Sequence, residues 1–165
     1  MGFPPGNVVG NIYNNVVPAT TAHADANTAL LNASGRAKTG TVPGDIGGLT
    51  IVPGVYTAAA VSVGITGNVT LDAQGNPNGV FIFQIPSSTL TANVGSTVTL
   101  AGGANPCNIF WEVGSSATLN GPIFQGNVIA FTSVSVGSTV AVTGRLIAVN
   151  GAVTLISDTV VRPGP

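Results

Sequence analysis

Charge is what this chain has least of: 5% of its 165 residues are Asp, Glu, Lys or Arg, against roughly 25% in an ordinary soluble domain. The four basic residues, Arg36, Lys38, Arg145 and Arg162, are scattered. A phosphate backbone would find no basic stripe to lie along, so nucleic acid is excluded as a partner. The five carboxylates, Asp25, Asp45, Asp72, Glu112 and Asp158, are just as dispersed. No Ser-His-Asp set, metal-ligand spacing or phosphate loop is present, so the chain is expected to be no enzyme and to need no metal or cofactor. Glu112 is expected to find its partner in Arg145, and the lone His23 reads as a surface or packing residue.

A single cysteine, Cys107, rules out an internal disulfide and reads as a small buried hydrophobe. Apolar residues make up 44% of the chain, yet no run approaches the ~18 to 20 needed for a membrane-spanning helix. No leader with a basic start and an apolar centre opens this sequence, so secretion would require one that was cut off or that lies outside it.

What replaces charge is Gly, Asn, Ser and Thr alternating with Val, Leu and Ile. The blocks starting Asn108-Ile109-Phe110-Trp111-Glu112, Asn127-Val128-Ile129-Ala130-Phe131 and Arg145-Leu146-Ile147-Ala148-Val149 begin 19 and 18 residues apart. A repeat of this length built from short β segments reads as a solenoid coil, because one coil buries its apolar face only when others stack on it. The whole of 1–165 reads as one mostly-β domain: an opening segment at 1–18 with β-like pieces at Val8-Val9 and Ile12-Tyr13, one flanking helix at 19–37, and solenoid coils at 49–162. The helix follows from an Ala-rich stretch, free of internal Pro and Gly, between Pro18 and Gly35.

Stacking the coils gives three strand columns. The first, with Val80 to Ile85, Ile109 to Val113, Val128 to Phe131 and Leu146 to Val149, is apolar on both sides and must be covered, which assigns the helix to its outer surface. In the second, Leu90, Leu119, Val134, Val136, Val153 and Leu155 point inward, leaving Thr89, Thr91, Thr118, Asn120, Ser133, Ser135 and Thr154 outside. The third leaves Thr97, Thr99, Thr139, Thr143 and Thr159 outside. Two flat, uncharged, hydroxyl-bearing faces are therefore expected, although β propensity alone also favours Thr on a solvated strand.

The motifs Gly2-Phe3-Pro4-Pro5-Gly6, Asn32-Ala33-Ser34-Gly35-Arg36, Pro43-Gly44-Asp45-Ile46-Gly47-Gly48, Pro53-Gly54-Val55-Tyr56, Val69-Thr70-Leu71-Asp72-Ala73-Gln74-Gly75, Val80-Phe81-Ile82-Phe83-Gln84-Ile85, Asn108 to Leu119 and Asn150-Gly151-Ala152-Val153-Thr154-Leu155 follow one another along nearly the whole chain. In these motifs the chain resembles the bacterial and fungal ice-binding-like (DUF3494) domain. The resemblance implies a right-handed parallel β-solenoid of triangular section with one flanking helix, secreted or on the cell surface. It also implies adsorption to ice, or to another surface, through one flat face of small and hydroxylated residues. The family has no strict ice-binding motif, so both hydroxyl faces carry over as candidates.

Members of that family normally carry 30 to 40 residues before the Phe-Pro-Pro-Gly motif, forming first coils against which the last coil packs. Without them the coil from Ala152 to Val161 is expected to present an unpaired apolar edge. Either this sequence is a fragment of a longer chain that carries those coils, or a neighbouring subunit or tandem copy fills the gap. The second option makes a structural subunit or tandem-repeat unit of an extracellular filament or matrix, stacked head to tail, the alternative reading.

Overall fold

A computed structural model describes residues 7–14 and 16–164. In chain order it contains helix α1 (Val17–Ser34) and the strands β1 (Gly40–Val42), β2 (Thr50–Ile51), β3 (Gly54–Ala58), β4 (Ser62–Ile65), β5 (Asn68–Asp72), β6 (Phe81–Ile85), β7 (Thr89–Ala92), β8 (Thr97–Ala101), β9 (Ile109–Val113), β10 (Ala117–Leu119), β11 (Ile123–Ala130), β12 (Val134–Ser138), β13 (Ala141–Ala148), β14 (Val153–Ile156) and β15 (Thr159–Val161). A 3-10 turn at Pro106–Asn108 leads into β9. The strands pair in parallel, as coils of a parallel β-solenoid require. The Phe3-Pro4-Pro5-Gly6 motif lies outside the described residues, and neither Val8-Val9 nor Ile12-Tyr13 is a strand.

Three faces result. Face A stacks β1, β3, β6, β9 and the second halves of β11 and β13. Face B stacks β4, β7, β10, β12 and β14. Face C stacks β2, β5, β8, the first halves of β11 and β13, and β15. Both β11 and β13 turn the corner between faces C and A without leaving the ladder, and two glycines make this possible. Gly126 and Gly144 stand opposite each other in register with φ of 107° and 159°. A Cβ on Gly144 would come within 1.8 Å of the Gly126 carbonyl oxygen, so no other residue fits the corner.

Inside, alternate side chains of each face fill one continuous core. Tyr56, Phe83 and Trp111 lie in adjacent rungs of face A and stack with ring centroids 5.8 and 4.1 Å apart, with Phe124 tilted against Trp111 at 5.4 Å. Trp111 satisfies its ring N–H by donating to the Gln125 carbonyl at 3.0 Å, which lets a large aromatic sit fully buried without an orphaned donor.

The outside of face A is covered by α1, as its two-sided apolar pattern demands. Leu30 packs with Ile129, Val149 and Ile147, and Ala26 and Ala33 are buried beside it. The helix begins two residues earlier than the Ala-rich stretch, at Val17, because Pro18 fits its first turn, where a missing N–H leaves no hydrogen bond unmade. Its end is not the left-handed glycine cap expected from Gly35, which has φ −80°. Gln84 on β6 closes it instead, its side-chain nitrogen donating to the carbonyls of Ala33, Ser34 and Arg36 at 2.9, 3.2 and 2.7 Å.

At the other end, His23 bonds the Val149 carbonyl just after β13. His23 and Ala33 are ten residues apart, about 15 Å of helix, and β13 and β6 are three rungs apart, about 14 Å. The helix therefore runs along the stacking direction, with its start at the last coil.

Candidate functional site

Face B carries the expected hydroxyl plane. The register places Gly64, Thr91, Thr118, Ser135 and Thr154 opposite one another in successive rungs. This column rises by roughly 4.8 Å per rung and holds no charged residue. Between its members and the core, Val63, Leu90, Ala117, Leu119, Val134 and Val136 are all 2% exposed or less, so the strands cannot roll to hide the hydroxyls. Thr89 stands two residues before Thr91 on the same outer side and pairs with Ser62. Ser133 precedes β12, where its hydroxyl accepts from the Ala152 N–H at 3.4 Å. Asn120 follows β10 at the corner toward face C, its backbone N–H bonded to the Ala92 carbonyl.

Face C differs in two ways. Its columns run Asn68, Thr97, Ile123, Ala141, Thr159 and Thr50, Thr70, Thr99, Gln125, Thr143, Val161, the Gln125 rung following from its pairing with Thr143. Apolar side chains thus interrupt the hydroxyls, with Ile123 half exposed. Three of its threonines are also engaged, while among the described residues the hydroxyls of Thr50, Thr143 and Thr159 are not: Thr97 and Thr99 both donate to Asn68 Oδ1 at 2.6 Å, and Asn68 donates on to Thr70 at 3.2 Å. On face B, by contrast, the hydroxyls of Thr89, Thr91, Thr118, Ser135 and Thr154 make no side-chain hydrogen bond to the described residues. A hydroxyl already committed to a neighbour cannot offer its proton to water.

Thr139 is on neither face. It sits at the corner between faces B and C with φ 64°, its hydroxyl turned back to the Ser138 carbonyl. Alternation along Thr139 to Thr143 made it look like a strand position, but β13 begins only at Ala141.

Other expectations shift as well. Arg145 does not reach Glu112. It stands in register with Asn127 and donates to the Asn127 side-chain oxygen at 2.9 Å, while Glu112 lies in the next outer column with Gln84 and Ile129. Glu112 is 4% exposed with one carboxylate oxygen lacking any partner, and its burial pushes the carboxyl above the ordinary carboxylate range against a weaker pull from the Ile85 backbone. Cys107 is half-buried, its Sγ 3.4 Å from the Gly164 carbonyl. Among the described residues no group of three His, Cys, Asp or Glu could hold a metal ion, and no helix is long and apolar enough to cross a membrane.

The same combination of solenoid and lengthwise helix occurs in known proteins. A family described as Ice-binding-like matches residues 2–161. An ice-binding protein of Nostoc sp. (strain HG1) is 42% identical over 96% of this chain and 59% of its own length, and one of Flammulina populicola is 36% identical over 96% of this chain and 65% of its own. This chain thus spans about three fifths of the length of these two relatives. Among solved structures, an ice-binding protein of the Antarctic ascomycete Antarctomyces psychrotrophicus superposes with TM-score 0.93 at 38% identity, covering 100% of this chain and 81% of that one. The DUF3494 domain of Shewanella frigidimarina ice-binding protein 1 gives 0.85 at 32% identity over 99% and 71%. With the family match, the sequence identity and the superposition each extending over nearly the whole sequence, this chain belongs to the Ice-binding-like family.

Proposed function

We propose that this protein works outside the cell by adsorbing to ice through face B. Ice presents no charge to pair with and no cavity to fill, so a surface that holds it must be rigid, level and neutral, with apolar and hydrogen-bonding groups at fixed spacing. Threonine supplies a methyl and a hydroxyl on one short, stiff side chain. The single observation that carries this reading is the outward column Thr91, Thr118, Ser135 and Thr154, its hydroxyls left open to solvent. Face C offers a similar residue list, but with the Thr97 and Thr99 hydroxyls bound to Asn68 and the apolar Ile123 half exposed in the same column as Thr97. Relatives carrying the name ice-binding protein support the choice of surface.

Thermal hysteresis and ice recrystallisation measurements test it. Thr118→Tyr places a bulky ring in the middle of the column and is expected to abolish most of the hysteresis while leaving the fold intact by circular dichroism. Thr99→Tyr on face C is expected to leave the activity unchanged. Loss on face C with retention on face B would move the ice site. No effect of the unmodified protein on crystal growth at high concentration would remove the reading altogether.

A further inference from the structure

The helix covers only part of the outer side of face A. One outward column there holds Gln84, Glu112 and Ile129 in register. Helix α1 lies over it, with Leu30 on Ile129 and the Ala33 carbonyl on Gln84. The neighbouring column runs Val55, Ile82, Phe110, Asn127 and Arg145, and its first three members floor a groove of about 740 Å³. The helix walls this groove on one side, and Val80 and Asn108 line the other. No long side chain bridges it, because the helix presents Ala29 and Ala33 here. The rungs that build the groove, β3, β6, β9 and β11, each have a paired strand on both sides, so it is a recess within complete coils.

Composition follows the groove. The column is apolar at Val55, Ile82 and Phe110 and turns polar at Asn127 and Arg145, which do not line it. Strand propensity would favour apolar residues at every rung alike. Yet Phe110 and Val55 are only half-buried, and Val80 beside them is 42% exposed. A floor that is apolar only where a recess opens above it points to an apolar occupant.

The groove is also polarised. Arg36 lines one end, beside Gly54 and Val55, and Lys38 follows two residues on, so two of the four basic residues of the chain are here. The Arg36 side chain donates through Nε to Asn32 Oδ1 at 3.0 Å, which steadies the guanidinium and leaves its terminal nitrogens unbonded among the described residues. Asp25 lines the opposite end, seven residues before Asn32, about 10 Å along the helix. Neither Arg36 nor Asp25 has an ion-pair partner among the described residues.

We propose that this groove binds one molecule of a free amphiphilic carboxylate, such as a medium-chain fatty acid, with its tail on Ile82 and Phe110 and its head on Arg36. A carboxylate fits the guanidinium fork with two parallel hydrogen bonds, and the volume lies within the usual range for small ligands, roughly 300–1,000 Å³. The floor spans three rungs, roughly 10 Å, close to the length of an extended decanoate tail. Asp25 sets the orientation. An ammonium head placed there would meet one acid and lay its tail beneath two cations, whereas a carboxylate head meets the cations and points only the tip of its tail at the acid. The recess takes a single molecule in from the side, unlike a projecting apolar face that enters a bilayer.

Calorimetric titration of the chain with sodium decanoate, decyltrimethylammonium bromide and decanol, each below its aggregation threshold, tests this. Decanoate is expected to saturate one site and to bind at least 10-fold tighter than either other probe. Arg36→Glu is expected to reverse the order of the two charged probes. Ala29→Phe fills the groove from the exposed side of the helix and is expected to weaken decanoate binding at least 10-fold, with the circular dichroism of the parent. Decanoate binding that is absent, that is no tighter than that of the ammonium probe, or that survives Ala29→Phe would overturn the proposal. So would attachment to phosphatidylglycerol vesicles without binding of monomeric decanoate, which would make the contact a membrane surface. The titrations contain no ice and both variants lie away from face B, so their outcome is separable from that of the ice-binding reading.

Discussion

The side-chain nitrogen of Gln84 lies 2.9 Å from the carbonyl oxygen of Ala33, and through this contact a strand in the middle of face A holds the end of the helix that covers it. The last carbonyls of a helix have no partner within it, and here those of Ala33, Ser34 and the following Arg36 turn toward β6, the first of them buried. Thr57 steadies the same amide by donating to its oxygen at 2.8 Å.

Replacing Gln84 by Ala removes the donor that these carbonyls share, leaving Ala33 only the longer bond from the Arg36 N–H, at a cost of about 1–3 kcal/mol. Denaturant unfolding of Gln84→Ala should show a loss of that order. Hydrogen exchange should show the last turn of α1 opening before the solenoid does. Gln84→Glu should be worse at neutral pH, because a carboxylate would then face three carbonyl oxygens with no proton to give.

Glu112 gives stability a pH dependence of unusual sign. Its folded-state carboxyl is held above its ordinary value by burial, so the native state binds the proton more tightly than the unfolded chain. Its contribution to stability is fully present below the ordinary carboxylate range and is lost as pH rises through the raised native value. The groups nearest it do not offset this, since Gln84 is committed to the helix end and Arg145 to Asn127. Asp45 acts in the opposite sense. The Gly47 N–H first, and Thr66 second, hold its carboxyl below the ordinary range, so its contribution is lost as pH falls. Glu112→Gln is therefore expected to raise the melting temperature at pH 7 relative to the parent, with the gain shrinking toward acid pH. A variant less stable than the parent at pH 7 would show that the carboxylate has a partner there.

Gly144 allows no side chain. Gly144→Ala drives a methyl into the Gly126 carbonyl, so β13 must leave the corner or the last coil must detach. Few single substitutions exceed about 4–5 kcal/mol, and this one is expected among them. Expression with little soluble protein, or a melting curve that starts with loss of the C-terminal coil, is the outcome to look for.

Much of this architecture could be read from the chain because it repeats. Eighteen- and nineteen-residue spacing set the coil, period-two alternation gave the inward and outward sides of face B, and the two-sided apolar strands of face A required a cover that only one Ala-rich stretch could supply. What escaped was whatever depends on rotation about single bonds or on corners. Alternation extends through Thr139, yet the chain turns there with positive φ, and no pattern marks where a strand starts within an alternating run. Residues Arg145 and Glu112 share a face but not a column, a distinction set by register to within one residue. The difference between faces B and C was illegible for the same reason: threonine content is visible in the sequence, whereas the capture of Thr97 and Thr99 by Asn68 requires three side chains from two rungs to meet.

Gly64 is the gap in the face B column, and the gap can be filled. It stands in register with Thr91 in extended backbone, and a Cβ there would meet only the Gly44 carbonyl at 3.5 Å and the Asn93 amide at 3.9 Å, ordinary contact distances. Gly64→Thr thus adds a methyl and a hydroxyl to the plane without disturbing the Gly64 backbone bonds to Gly44 and Ile46. Stability should rise by about 0.5–1 kcal/mol, the usual penalty of glycine inside a strand. If face B is the ice surface, thermal hysteresis should rise too, because the aligned column gains a rung at the end away from β14. A variant that is more stable but no more active would separate the two effects and place the contact nearer Ser135 and Thr154.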